Sequence, residues 1–298
     1  MTLLNSSVAT DMLEEPKAMW IVRALGLIRR QPLASAGGFV VLIMIVATIF
    51  ADVLSPYDPE AADFMHMLTP PNADYWLGTD MFGRDILTRI IYGARTALFV
   101  GFTAAFIGAT AGLILGVASA YFGGLFDLIF QRIVDVIMAF PLIVLALAVV
   151  ATLGAGTENV IIAITIPFIP QCARVVRSSA LAIREIPYVD AARALGFSHT
   201  RIIMRHMVPN VMAPYLIMLT TFVGQAILLE ASLSYLGMGV QEPTPAWGLM
   251  LQGGAEEYAE SAPWVPIFPG LAITIAVFGF NLFGDGLRDV LDPRLRSR

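Results

Sequence analysis

The chain has 298 residues, 57% of them hydrophobic and only 14% charged, with a formal net charge of −5. Soluble domains carry about 25% charged residues, so this composition excludes an ordinary water-facing surface and indicates that the bilayer is the solvent. We therefore expect membrane lipid around the protein and no nucleic acid as a partner.

Six apolar stretches are long enough to cross a hydrocarbon core of about 30 Å, which needs roughly 17–25 helical residues. An open sheet cannot cross lipid with unpaired backbone groups, and the stretches lack the alternation of a barrel strand. The prediction is an all-α integral membrane protein with six transmembrane helices, at 33–53, 98–120, 136–153, 160–176, 211–236 and 264–284.

The segment 1–32 precedes the first span. From Pro16 to Arg30, Trp20 and Leu27 fall on one helical face while Lys17 lies nearer the other. This pattern is typical of an amphipathic helix lying in the headgroups, and an inward extension of the first span fits it equally. The first apolar run begins too late and is too long for a cleavable signal peptide, which predicts an uncleaved anchor.

A unit at 33–97 joins the first span to a periplasmic segment that opens with turn-forming prolines. Thr79 or Asp80 can cap a helix start there, and from Ile86 onward apolar residues recur at helical spacing. We expect this helix to merge with the second span, where a permease core at 98–286 begins.

The fourth span contains Pro167 and Pro170, which remove backbone donors and predict a kink or break in the helix. It also holds the single cysteine, Cys172, so the chain cannot form an intrachain disulfide. No metal site is expected.

The basic residues are unevenly distributed between the two sides. Fifteen of the 18 lie before the first span, between the second and third, between the fourth and fifth, or after the sixth, and only Arg84, Arg89 and Arg95 lie on the other side. The positive-inside rule predicts that both termini, including the tail at 287–298, are cytoplasmic. The loop after the fifth span agrees with this, since it lacks Lys and Arg and carries Glu242, Glu256, Glu257 and Glu260.

The cytoplasmic loop at 177–210 is long for a compact membrane protein. Pro187 suits a first helical turn, Gly196 a left-handed stop, and Ser198 the cap of a second helix that ends at Met207, before Pro209. The pattern predicts a helix, a glycine elbow and a helix. From the residues alone, a projecting docking knob and a self-packed connection are equally compatible with it.

The same loop resembles the EAA loop of ATP-binding-cassette importer permeases, E-A-A-x₃-G-x₉-I-x-L-P. The match rests on Asp190-Ala191-Ala192, Gly196 and Pro209. Three positions depart from the pattern, with Asp190 for Glu, His206 for Ile and Val208 for Leu. In that family the loop docks on the ATPase subunit. The resemblance therefore implies ATPase docking by Tyr188, Asp190, Ala191, Ala192, Arg193, Leu195, Gly196, Arg201 and Pro209.

Three further segments, at 77–85, 230–237 and 284–294, resemble the dipeptide/oligopeptide/nickel permease family, and most closely its C-type subunit. The resemblance implies a type I importer permease with the MetI-like fold, in a bacterial inner membrane. It also implies four kinds of partner: a B-type permease, two ATPase subunits, an extracytoplasmic solute-binding protein and a peptide. ATP and Mg would be bound by the ATPase subunits, and this chain would hold no cofactor.

Polar residues within the spans are the candidates for the translocation path. Glu230 has two interpretations, a gate carboxylate that senses peptide charge or a helix-to-helix hydrogen bond to Ser232, Ser234 or the partner permease, and the second is favoured. The other candidates are Gln171, Thr220, Thr221, Gln225 and Asn281.

Other functions are less compatible with the sequence. A secondary transporter would show internal repeats and more intramembrane charge, neither of which is evident. An intramembrane enzyme lacks support, because none of the three histidines forms an H-E-x-x-H pair and no G-x-S-x-G elbow is present. The only lysine, Lys17, is not in a P-loop, so no catalytic residue is expected. Within the importer class, nickel chelates, glutathione or another small solute remain alternatives to peptides.

Overall fold

The computed structural model describes residues 31–255 and 257–291, and this part of the chain is helical apart from loops and one isolated β-bridge. The predicted amphipathic helix at 16–30 and the residues after 291 lie outside it. Single turns occur at Ala51–Leu54 and Phe64–His66. The numbered helices are α1 (Pro32–Ile49), α2 (Ile86–Phe122), α3 (Gly124–Met138), α4 (Leu142–Leu153), α5 (Thr157–Arg184), α6 (Pro187–Ala194), the one-turn α7 (His199–Ile202), α8 (Val208–Tyr235), α9 (Trp247–Ala255) and α10 (Trp264–Leu291).

Within residues 31–255 and 257–291, five helices are long and apolar enough to cross a membrane, and a sixth span is formed if the bent pair α3 and α4 is counted as one. The predicted single helix at 136–153 is wrong, because α3 ends at Met138 and α4 starts at Leu142 after a 90° bend. Pro141 lies in the break, where it has no N–H to donate and disfavours helical backbone at Phe140. With 12 residues, α4 alone is only about 18 Å long.

The helix predicted from Ile86 does merge with the second span, and α2 runs for 37 residues. Its N-cap is Asp85, whose carboxylate accepts a 2.8 Å hydrogen bond from the Thr88 amide. The prediction of Thr79 or Asp80 as the cap is wrong, because both side chains are engaged in the preceding loop. At about 55 Å, α2 is longer than the bilayer core and carries contacts beyond it.

Helix α2 forms the centre of the bundle, where it packs against α5 and α8, while α1 packs against α10. Helix α5 is continuous through Pro167 and Pro170, so the predicted break is absent, and both prolines are buried. The α2–α5 contact is close because Gly108, Gly112 and Gly116 face α5 with no side chain between the backbones.

The α2–α5 contact gives a stability prediction. A Cβ at Gly116 would lie 2.6 Å from the carbonyl oxygen of Ala173, so Gly116→Ala should lower the free energy of unfolding by about 1–3 kcal/mol. Gly270 in α10 is the matched control, since its added Cβ would meet only Leu251 Cδ1 at 3.8 Å. Thermal unfolding in detergent should separate the two variants, and equal stability would contradict the close packing.

Candidate functional site

The loop between α5 and α8 has the predicted form of helix, glycine elbow and helix. Helix α6 begins at Pro187 and ends at Ala194, and Gly196 has φ +75°. The Gly196 amide donates to Arg193 O at 2.9 Å, and the Phe197 amide donates to Ala192 O at 3.1 Å. This pair of bonds is a Schellman motif, which satisfies the last carbonyls of the helix and requires a left-handed residue at position 196.

The second helix of the loop starts as predicted, with the Ser198 hydroxyl accepting a hydrogen bond from the Arg201 amide at 3.4 Å. The predicted end at Met207 is wrong. The chain passes from α7 through a π-helical turn, Ile203–Met207, directly into α8. The wider turn, closed by the Val208 amide on Ile203 O, places Pro209 in the first turn of α8, where its missing N–H is harmless.

The surface of the loop presents apolar and charged groups together. Leu195 at the tip is 74% exposed, Tyr188 is also exposed, and Asp190 forms a 3.0 Å ion pair with Arg193. Arg201 lies 4.1 Å above the Phe197 ring. Of the other predicted docking residues, Ala191, Gly196 and Pro209 are exposed, and Ala192 is buried against the bundle.

The loop is braced to the start of α8 by contacts that the sequence did not reveal. The Asn210 amide donates to His206 O at 2.7 Å and to the Tyr188 hydroxyl at 3.2 Å. The centre of the His206 ring lies 5.6 Å from that of Tyr188 and 6.5 Å from that of Phe197. A polar residue directly after Pro209 was the only sequence signal for this brace. The contacts hold α6 and α8 in a fixed relation.

The predicted path residues differ in exposure. Thr220 and Thr221 are half-buried and donate to the Ile217 carbonyl of their own helix. Gln171 is half-buried, whereas Gln225 on α8 and Asn281 on α10 are exposed within apolar helices. An exposed amide in a membrane span needs water, solute or another protein surface, so Gln225 and Asn281 are the better candidates for the path.

Glu230 braces the end of α8. It is 1% exposed and accepts a 2.7 Å hydrogen bond from the Ser234 hydroxyl, which in turn accepts from the Val240 amide at 3.2 Å. Ser232 does not take part, because its hydroxyl donates to Leu228 O within the same helix. The Glu230–Ser234 bond lies within α8, so the predicted helix-to-helix bond is not what the structure shows. The burial of Glu230 and the link through Ser234 to Val240 still support a structural role.

Replacing Glu230 by glutamine should lower the stability of the protein without changing which solutes it prefers. The new amide N–H₂ would be buried without an acceptor, at a cost of about 1–3 kcal/mol. Ser232→Ala is the control, since that hydroxyl bonds only to its own helix. Thermal unfolding and uptake of cationic and anionic peptides would be compared, and a stable Glu230→Gln protein with altered charge preference would support the gate interpretation.

At the opposite end of α2 from this loop lies an ionic cluster, which we define as the buried residues Asp80, Arg84 and Arg89 together with the exposed Glu242. Arg84 donates from Nε to Asp80 at 2.7 Å and from its two terminal nitrogens to Glu242 at 2.7 and 3.2 Å. Burial by itself lowers the pKa of Arg84, but the hydrogen bonds to Glu242 and Asp80 and their negative charges outweigh it and raise that pKa.

Arg89 completes the ionic cluster from the first turns of α2. Its side chain is 0% exposed, and it donates to Pro59 O at 3.0 Å while lying 3.8 Å from Asp80 and 3.6 Å from Glu242. In the sequence, Arg84 and Arg89 are recognisable only as basic residues on one side of the membrane. Because Glu242 is 158 positions from Arg84, only packing could reveal the contact.

Comparisons with known proteins agree with this architecture. Residues 108–297 match the family of binding-protein-dependent transport system inner membrane components, and residues 20–71 match the N-terminal transmembrane domain of oligopeptide transport permease C. The inward-facing MetNI methionine ABC transporter superposes with a TM-score of 0.56 at 19% identity, covering 70% of this chain and 98% of that chain. The predicted MetI-like fold is confirmed.

Relatives from several bacteria extend over most of the chain. A putative peptide transport system permease of Brucella suis biovar 1 is 44% identical and covers 99% of both chains. A dipeptide transport system permease of Alkalihalophilus pseudofirmus is 43% identical over 91% of this chain and 88% of its own. A glutathione transport system permease of Escherichia coli O6:K15:H31 is 43% identical over 90% and 89%.

Proposed function

The chain belongs to the binding-protein-dependent transport system inner membrane components, and we propose that it forms half of an import path for di- or oligopeptides. The observation that carries the proposal is the rigid, projecting loop, whose glycine elbow and brace give separate ATPase subunits a fixed surface to hold. The names of the relatives, which are peptide, dipeptide and glutathione permeases, support a peptide-like solute. Glutathione itself, nickel chelates or another small solute are the alternatives.

We propose that the loop end of the bundle is cytoplasmic, as are both termini. The 15 basic residues on that side favour this orientation. The ionic cluster and the loop that carries Glu257 and Glu260 then face the periplasm.

The proposed assembly contains this chain, a B-type permease and two ATPase subunits that bind ATP and Mg, with a solute-binding protein outside. ATP and the loaded binding protein would shift the equilibrium between two states of the permease pair, inward-open and outward-open, because each makes different contacts with the two states. The second permease would supply the rest of the path around Gln225 and Asn281. ATP hydrolysis would take place on the partner subunits.

Two single-cysteine variants test the proposal, Leu195→Cys and Glu260→Cys, both in a Cys172→Ser background. In intact cells an impermeant maleimide should label only the Glu260→Cys protein, and in inverted vesicles only the Leu195→Cys protein. A short bifunctional reagent should cross-link the Leu195→Cys protein to an ATPase subunit. The Glu260→Cys protein is the matched control and should give no such product.

The Glu260→Cys protein should support uptake of a labelled dipeptide in cells lacking the native chain. Labelling of the Leu195→Cys protein from outside intact cells would refute the orientation. Absence of its ATPase cross-link in an assembled complex would refute the docking role. Uptake of a nickel chelate but not of the dipeptide would replace peptides by that alternative.

A further inference from the structure

The last turn of α2 lies directly beneath the loop, and one side chain there contacts both of the loop's helices. Tyr121 is only 6% exposed, and its hydroxyl lies 2.7 Å from Nδ1 of His199, the first residue of α7. The guanidinium carbon of Arg193, on α6, lies 5.3 Å from the centre of the Tyr121 ring. The helices before and after the Gly196 elbow therefore meet on the same tyrosine.

Neighbouring contacts fix this end of α2 in place. The Phe122 ring lies 6.0 Å from the His199 ring. Arg184, the last residue of α5, donates from Nη1 to Ala120 O at 2.9 Å, which satisfies a carbonyl at the end of α2. A displacement of α7 by an ångström would break the directional hydrogen bond or move α2 with it.

The far end of α2 is attached to the opposite side of the protein in the same manner. Besides the Arg89 bond to Pro59 O, the Thr96 hydroxyl donates to Pro245 O at 2.8 Å, and the Trp247 indole donates to Ile90 O at 3.0 Å. One continuous helix of 37 residues thus holds hydrogen bonds to the loop at one end and to the segments 59–85 and 242–247 at the other. Rigid elements of this kind carry displacement over their whole length.

We propose that Tyr121 and His199 are positioning residues that transmit movement of the loop to α2 and through it to the opposite face. The inference rests on the proposed docking of ATPase subunits on the loop and adds the route by which docking changes the path. In this role the Tyr121 hydroxyl raises the number of solute molecules transported per ATP hydrolysed. It serves neither the binding of the ATPase nor the stability of the bundle.

The test is Tyr121→Phe in the assembled transporter, reconstituted with its ATPase subunits and binding protein. Phenylalanine keeps the ring, its packing and its contact with Arg193 and removes only the hydroxyl. Uptake of labelled dipeptide per ATP hydrolysed should fall about two- to tenfold, the range that corresponds to one lost hydrogen bond. Co-purification of the ATPase should match wild type.

A matched variant and a rescue exclude a general loss of packing. Tyr215→Phe removes another tyrosine hydroxyl from a side chain that is also 6% exposed, 3.1 Å from Thr110 on α2, and should leave the ratio unchanged. His199→Leu should reproduce the defect of Tyr121→Phe. His199→Asn, whose amide can reach the position of Nδ1, should restore much of the ratio, and Tyr121→Phe combined with His199→Leu should be no worse than either alone.

The possible failures are distinguishable. A wild-type ratio in Tyr121→Phe, or an equal fall in Tyr215→Phe, would overturn the transmission role while leaving the docking of the loop intact. Loss of the ATPase from Tyr121→Phe would overturn it as well, since the tyrosine would then serve docking. If a variant with a distorted elbow, Gly196→Val, retains its ATPase and its uptake, the docking on which this inference rests is wrong.

Discussion

Replacing Gly196 by valine should abolish peptide uptake while the protein still reaches the membrane in normal amounts. Gly196 has φ +75°, a conformation that a β-branched residue adopts only at a cost of about 1 kcal/mol or more. No atom lies within 4 Å of an added Cβ, so the effect arises from the backbone alone. The elbow would relax to another conformation, break the Schellman bonds and turn α6 away from α7.

The measurement is co-purification of the ATPase subunits together with dipeptide uptake. Both should fall at least tenfold, because the docking surface needs α6 and α7 in one fixed relation. Gly196→Asn is the matched control, since asparagine tolerates left-handed backbone and fills the same open space. Full uptake in Gly196→Val would contradict the coupling role, and equal loss in both variants would show that the side chain, and not the backbone, causes the defect.

The second large effect is expected at the ionic cluster. Arg84→Met removes the nearer partner of both Asp80 and Glu242 and leaves two carboxylates facing Arg89 alone. Breaking a buried pair in this way costs about 3–5 kcal/mol, and we expect the low end because the Glu242 side chain is 42% exposed. Thermal unfolding in detergent should show the loss, and uptake should fall with it.

Arg95→Met is the control for this variant. Its partner is Asp52, and the two side chains are 42% and 68% exposed, so the loss should be below about 1 kcal/mol. Adding Glu242→Gln to Arg84→Met should recover part of the stability, because it leaves one carboxylate, Asp80, facing one arginine, Arg89. Equal stability of the two arginine variants would show that the ionic cluster does not hold the outer end of α2.

Local chemistry made much of the protein predictable. The predicted spans at 98–120, 160–176 and 264–284 lie within single long helices, because the thickness of the bilayer fixes the length of an apolar run and lipid forbids unpaired backbone. The predicted ends at 53 and 236 are too late, since α1 ends at Ile49 and α8 at Tyr235. The form of the loop also follows from neighbouring residues. Pro187, Gly196 and Ser198 act on the backbone within one turn of themselves, and the structure shows each in its predicted position.

The errors arose where tertiary packing competes with a local signal. Pro167 and Pro170 were expected to kink or break α5, and the break is absent where α5 packs closely against α2. Pro209 was expected to separate two helices. Instead the π turn before it continues into α8, and Pro209 lies in the first turn of that helix, where a backbone N–H is not needed. By contrast, Pro141 does end a helix, and the bent pair replaces the predicted third span. The position of a proline in the sequence shows which backbone hydrogen bond will be missing. It does not show how neighbouring residues in the folded protein compensate for that loss.

The sequence by itself thus determined that the protein lies in a membrane, roughly where its spans are, and the helix–glycine–helix form of the loop. The length of each apolar run sets a span, and helix caps and left-handed stops act within one turn of the chain. Only the tertiary structure decided which distant side chains meet. Arg84 and Glu242 are 158 positions apart, and Tyr121 and His199 are 78 apart. Hydrogen bonds and ion pairs act over about 3 Å, so such partners become known only when packing of the helices brings them within that distance.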